Sequence, residues 1–283
     1  MTIKITECPR DAMQGIVHFI PTDIKVAYIN LLLQVGFDTI DFGSFVSAKA
    51  IPQLQDTAEV LSKLDLSNTQ SKLLAIIANY RGAEEATKHP KITYLGYPFS
   101  ISETFQLRNT NTTLSQAFDN VKRMQELSAT SNKKLLVYLS MGFGNPYGDE
   151  WNTDIIHDWT GKLVKEGINN IALADTIGIS EADQISSIYP ELCLAFPNTE
   201  FGIHLHSTPD TWRPKIEAAY QSGCKRFDTA IKGYGGCPMA ADDLTGNIAT
   251  ENLIGYLESE KEPTGLNMDK FREAMEYSGR VFL

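Results

Sequence analysis

Two histidines stand one residue apart in the stretch FGIHLH, at His204 and His206. On an extended strand residues i and i+2 point to one face, so both imidazoles enter the same volume and supply half of a divalent metal site. Asp11, in CPRD, and Asn247, in GNIATE, can add oxygen ligands. Mixed nitrogen and oxygen ligation with open positions suits Mg2+, Mn2+ or Zn2+ better than a closed structural tetrahedron. Such a pair can also merely fill polar space beneath a loop. Two of the chain's five histidines lie here, however, with Asp11 and Asp175 expected at the same end of the fold, which favours the metal. His18, His89 and His157 have no comparable setting and read as ordinary surface or helix residues.

Further polar groups recur at the ends of apolar runs. Glu7, Arg10 and Asp11 close the first, Asp41 and Ser44 lie in the second, Asp175 and Thr176 end the sixth, and Ser207 follows His206. Adjacent residues point in opposite directions on a strand, so Arg10 and Asp11 can serve one site only if the chain bends, which Pro9 can help to supply. After the eighth run comes GYGGCPM, which places Cys237 between a glycine pair and a proline, then Asn247 and Glu251 at the start of a helix. A free cysteine is more often a small buried hydrophobe than a reactive group. Cys193 and Cys224, on helix-like segments, are read that way, and Cys8 is left open.

The elements that must position these groups are legible from periodicity. Eight β-rich runs recur: Ile3–Cys8, Thr39–Phe45, Leu73–Asn79, Ile92–Phe99, Lys134–Phe143, Asn170–Thr176, Glu200–His206 and Arg226–Ile231. Helical periodicity fills most of the gaps, as in Thr22–Val35 and Leu114–Leu127, and Thr22 and Ser180 are the expected caps preceding two helices. Glycines at Glu166–Ile168 and Ser222–Cys224 suit left-handed helix ends. Eight strands alternating with helices predict an α/β fold, the closed (β/α)8 TIM barrel, as one catalytic domain over residues 1–283 with Met268–Arg280 as a trailing helix. No glycine-rich dinucleotide fingerprint follows the first strand. In such a barrel chemistry belongs at the C-terminal ends of the strands, where the polar groups collect.

Composition narrows the partners. Lys plus Arg number 25 against 35 Asp plus Glu, a net charge of −10, which argues against nucleic acid or an anionic membrane surface. A local cluster of cations can still hold an anionic small molecule. There is no apolar run long enough for a membrane span, and MTIKITECPRD has neither a signal-peptide core nor a transit-peptide look, so a soluble cytoplasmic protein is expected. The four cysteines show no CxxC pairing, in keeping with a reducing compartment.

The chain resembles the 3-hydroxy-3-methylglutaryl-CoA lyases, a branch of the DRE-TIM metallolyases. The motifs that carry the resemblance are PRDAMQ (9–14), DFGSFVSAKAIPQ (41–53), DTIG (175–178), HLH (204–206) and GGCPMAADDLTGNIATE (235–251). It spans nearly the whole chain, and the last motif is its most specific part. The resemblance implies metal ligation by Asp11, His204, His206 and Asn247, with Mg2+ or Mn2+ as the ion and Zn2+ as an alternative. It places Arg10 as the catalytic arginine and Cys237 as the catalytic cysteine, with Asp175, His204, Glu251 and Asp41 as supporting groups. The implied reaction is cleavage of 3-hydroxy-3-methylglutaryl-CoA to acetoacetate and acetyl-CoA, with an acyl-CoA as partner and a homodimer as the assembly. Asp41 stands where the family has glutamate, Ser207 where it has an acid, Ala12 where it has glycine, and GIVHFI (15–20) replaces a lysine-bearing stretch. Lys49, Arg108 and Lys232 are the cations that can substitute near a CoA phosphate. The alternatives are a lyase for a related 3-hydroxyacyl-CoA, another aldolase or Claisen condensing enzyme of the superfamily, and a non-catalytic barrel.

Overall fold

The computed structural model describes residues 2–236 and 245–282. Eight parallel strands form the barrel: β1 (Lys4–Glu7), β2 (Thr39–Ser44), β3 (Lys72–Ile76), β4 (Ile92–Ser100), β5 (Lys134–Ser140), β6 (Asn170–Asp175), β7 (Glu200–Ser207) and β8 (Arg226–Thr229). They run in sequence order around the ring, with β1 against β8 and β6 against β7 to close it. The TIM barrel expected from the alternation is therefore the fold.

Among the described residues eleven α-helices surround or flank the strands: α1 (Pro9–Gln14), α2 (Thr22–Val35), α3 (Thr57–Ser62), α4 (Tyr80–Thr87), α5 (Glu103–Thr110), α6 (Leu114–Thr130), α7 (Thr153–Lys165), α8 (Ala182–Ala195), α9 (Trp212–Gln221), α10 (Thr250–Ser259) and α11 (Met268–Phe282). None is long and apolar enough to cross a membrane. The trailing helix α11 lies on α2, where Tyr28 stacks with Tyr277 and meets the edge of Phe282. Caps differ in detail from expectation. Pro21, not Thr22, precedes α2, and Glu181, not Ser180, caps α8 in a reciprocal arrangement with Gln184. Ser180 instead turns its hydroxyl to Asp175.

Two apolar volumes hold the barrel. The larger fills the space between strands and helices, with Leu32, Leu95, Val137, Leu173 and Leu253 completely buried. The smaller lies inside the ring: Leu74, Ile76, Tyr94, Leu136, Tyr138 and Ala172. Full burial of one such aliphatic side chain stabilises by roughly 1.5–3 kcal/mol, so Leu136→Ala in the inner volume costs about 2–5 kcal/mol once the cavity is counted. Register decides what shares that interior. Ala172, Ala174 and His204 lie on one face by alternation and pairing, and His204 pairs with Asp228, which pairs with Thr6. The floor beneath the mouth is thus apolar on the β3–β6 side and polar on the β7–β8–β1 side.

Candidate active site

The first motif bends as a helix rather than a kinked strand. Pro9 occupies the first turn of α1, where its missing N–H costs nothing, and the six-residue helix turns Arg10 and Asp11 back over the barrel axis. Both are buried, and Arg10 Nη1 donates to Asp11 Oδ1 at 3.0 Å.

Asp11 is the hub. Its Oδ1 also accepts from Gln14 Nε2 at 2.8 Å, and its Oδ2 accepts from Asn247 Nδ2 at 2.7 Å. Burial pushes its carboxyl up, but Arg10, the imidazoles of His204 and His206, and Asn247 outweigh that and hold the pKa down at about 2. One donor atom from each of Asp11, His204 and His206 lies within 4.8 Å of the others. The two rings stand at 75° to each other with centroids 5.1 Å apart.

Asn247 reaches this cluster through a feature that periodicity did not reveal. Residues Gly246–Asn247 form a short strand, β9, antiparallel to β7, with Asn247 directly opposite His206. Its Nδ2 is held by Asp11 and by the Tyr234 carbonyl at 2.8 Å, which leaves Oδ1 buried without a partner. His206 is arranged alike. Its Nδ1 donates to the Thr176 carbonyl at 3.0 Å, so the proton sits there and Nε2 offers a lone pair, buried and unpartnered. Burial, then His204, lower the His206 pKa. For His204, burial acts downward but Asp228 and then Asp11 outweigh it; Nδ1 lies 3.4 Å from Asp228 Oδ2. A carboxylate, two imidazoles and an amide oxygen, with buried lone pairs left unmatched, fit a hard or borderline divalent cation.

Arg10 is gripped from two sides. Nε and Nη2 donate to Asp41 Oδ2 at 3.0 and 2.6 Å, and Nη1 donates to Asp11 and to Gln14 Oε1 at 2.9 Å. Four of its five N–H groups are engaged, which leaves one on Nη2. Asp41 therefore serves Arg10 first; its Oδ1 remains buried and unpartnered, and burial, against the pull of Arg10, raises its pKa to about 6.

Two expected participants stand elsewhere, and a third cannot be placed among the described residues. Asp175 pairs in register with Leu205, so it faces out of the ring toward the helices rather than into the mouth with the imidazoles. Its oxygens accept from Ser180 N at 3.1 Å, Ser180 Oγ at 2.6 Å and Lys215 Nζ at 2.7 Å, which corrects the expectation that it stands with the imidazoles. Glu251, in the first turn of α10, is half-buried and accepts from the Lys232 backbone N–H at 3.0 Å, outside the cluster. Cys237 lies outside the described residues. The chain just before it is fixed closely: a Cβ on Gly235 would lie 2.8 Å from Asp11 O and from Ala12 Cα.

Several contributors escaped sequence reading. Gln14, the last residue of the first motif, bridges Arg10 and Asp11. Asp228 sits beside His204, and strand alternation from Arg226 would have placed both residues inside the ring. Lys215, on α9, reads as a solvent-facing helix lysine yet is buried against Asp175. Glu7 points outward from β1, accepting from Ile231 N and Thr250 Oγ1, and burial lifts its pKa to about 8. Cys8 is fully buried, its thiol pushed well up by burial and then by the surrounding carboxylates, and its sulfur lies within 4.8 Å of donor atoms of His204 and Asp228.

The HMGL-like family profile matches residues 3–277. The hydroxymethylglutaryl-CoA lyase of Bacillus subtilis is 30% identical over 269 residues, covering 95% of this chain and 89% of the relative. The cytoplasmic 3-hydroxy-3-methylglutaryl-CoA lyase of Rattus norvegicus is 29% identical over 97% of this chain and 80% of its own length. Among solved structures, an HMG-CoA lyase from Acinetobacter baumannii in complex with coenzyme A and 3-methylmalate superposes with a TM-score of 0.91 at 30% identity, covering 99% of this chain and 91% of that one. Family profile, relatives and fold agree with the geometry at the barrel mouth: the chain belongs to the HMGL-like family of carbon–carbon lyases.

Proposed function

We propose that the protein cleaves 3-hydroxy-3-methylglutaryl-CoA, with a divalent cation, to acetoacetate and acetyl-CoA. The observation that carries this reading is the pair of buried, unmatched acceptors, His206 Nε2 and Asn247 Oδ1, beside an ionised Asp11. Asp11, His204, His206 and Asn247 would hold the cation, Mg2+ or Mn2+. When bound, it supplies Lewis-acid polarisation of the substrate's hydroxyl and carboxylate oxygens.

The remaining work falls to the chain's own groups. The tertiary hydroxyl loses its proton to Asp41 Oδ1, a carboxylate oxygen free of other duties and raised to about 6 by burial, close enough to neutrality to accept and return a proton. The carbon–carbon bond then breaks, the hydroxyl carbon becomes the ketone of acetoacetate, and the electron pair remains on the departing thioester as an enolate. The remaining N–H of Arg10, held rigid by Asp41, Asp11 and Gln14, donates to the thioester oxygen as it gains charge. The enolate carbon takes a proton from Cys237, a thiol whose ordinary pKa suits delivery near neutral pH. An acyl-CoA partner accords with the coenzyme A complex of the A. baumannii relative. Glu251, holding the Lys232 backbone, anchors the chain that leads into the cysteine segment.

The test is direct. Purified protein incubated with Mn2+ and 3-hydroxy-3-methylglutaryl-CoA yields acetoacetate and acetyl-CoA in equal amounts. Bound metal without product would overturn the substrate assignment, and absence of metal binding would overturn the site.

A further inference from the structure

A lysine ammonium has three N–H groups, and Lys215 spends all three inside the protein. Its Nζ, on a side chain only 4% exposed, donates to Asp175 Oδ2 at 2.7 Å, Gly178 O at 2.9 Å and His206 O at 2.7 Å. These acceptors belong to different parts of the chain: the end of β6, the turn that follows it, and β7 beside a metal-site imidazole.

The turn from Asp175 to Ser180 is what fixes the His206 ring. Thr176 in that turn offers the carbonyl that accepts from His206 Nδ1, and so selects the tautomer that leaves Nε2 free. Gly178, whose φ is +74°, packs where a Cβ would lie 2.5 Å from Thr245 Cγ2, just ahead of Asn247. Asp175 itself is held by Ser180 at the far end of the turn. We infer that Lys215 is a positioning residue for the metal site, clamping the 175–180 turn to β7 so that His206 Nε2 and Asn247 Oδ1 converge beside Asp11. Asp175 serves as the counter-charge of this clamp. The inference rests on the metal-dependent reading above and assigns to it a support behind His206.

A buried lysine removed alone strands Asp175 without a partner and destabilises the fold whatever its role. The test therefore uses two variants, read by Mn2+ affinity from the electron paramagnetic resonance of free Mn2+ and by thermal unfolding of the metal-free protein. The pair Asp175→Asn with Lys215→Gln removes both charges together. Lys215→Arg keeps the charge opposite Asp175, but its planar fork cannot meet three acceptors arranged around one nitrogen. Each is expected to weaken Mn2+ binding on the order of 10–100-fold, the usual cost of losing an outer partner of a metal ligand, and Lys215→Arg is expected to unfold near the wild-type temperature. Wild-type Mn2+ affinity in folded Lys215→Arg overturns the inference, even if the neutral pair fails to fold. A wild-type protein that binds no Mn2+ overturns instead the function from which the inference starts.

Discussion

Gly235→Ala tests how tightly the chain before Cys237 is registered on the Asp11 backbone. Gly235 has φ +89°, and a Cβ there would lie 2.8 Å from both Asp11 O and Ala12 Cα. Both are backbone atoms, so no side chain can rotate away. The added carbon falls about 0.6 Å short of the 3.4 Å at which ordinary contact begins, and α1 or the glycine segment must yield that distance. The left-handed backbone alone costs an alanine about 1–2 kcal/mol, and with the steric shift the destabilisation should reach about 3 kcal/mol, which a barrel of this size survives. The functional cost is larger in proportion, because Asp11 moves with its backbone. A misplacement near 1 Å can cost about 10²-fold in rate, so kcat/KM for acetoacetate formation should fall by roughly 10–100-fold, with weaker Mn2+ binding. The assay is acetoacetate release against substrate concentration, paired with Mn2+ titration and a thermal melt. A folded Gly235→Ala protein with wild-type kcat/KM and Mn2+ affinity would refute the close registration of this segment on Asp11.

Three further outcomes are expected. Asp41→Asn should lower kcat by about 10²–10⁴ through loss of the proton acceptor, whereas Asp41→Glu, which keeps a carboxylate there, should stay within about tenfold of wild type; steady-state kinetics of the two decides. Glu7, with a folded pKa of about 8 against 4.5 in the open chain, is protonated when folded and ionised when unfolded between those values. Its contribution therefore falls as pH rises through that window, by up to about 5 kcal/mol, and Glu7→Gln should flatten the pH dependence seen in urea melts and stabilise the protein most at pH 8. Cys237→Ala should leave Mn2+ affinity unchanged while cutting turnover by 10²-fold or more; undiminished turnover would remove the thiol from proton delivery.

The ring of eight strands was legible because parallel barrel strands are buried on both faces and read as dense apolar runs between helical periods. The pairing of His204 with His206 was legible for a related reason: strand parity is a local property that needs no knowledge of neighbours. Asp175 shows where that stops. Whether it points into the ring depends on its register with Leu205 across the β6–β7 seam, and register between distant strands is not written in either strand alone. The strand that carries Asn247 was hidden for a different reason. Two residues of β9 are too short for any periodicity, and their antiparallel pairing exists only because β7 is already in place. Lys215 was hidden by its type, since a lysine on a helix is normally solvated and only its three buried acceptors reveal otherwise. The bend in PRD was expected from Pro9, but its form, a helical turn that brings Arg10 and Asp11 to the same side, was not.

The hydrogen bond from Asn247 to Asp11 joins residues 236 positions apart. It lies across the seam where the first and last units of the barrel meet, so the order in which the chain emerges from the ribosome matters. Asp11 appears early, the histidines much later, and Asn247 only after all eight strands have been made. On the ligand set proposed above, a nascent chain would lack a donor until nearly all of it has been made. Closure of the ring and completion of that proposed set would then coincide, late in synthesis.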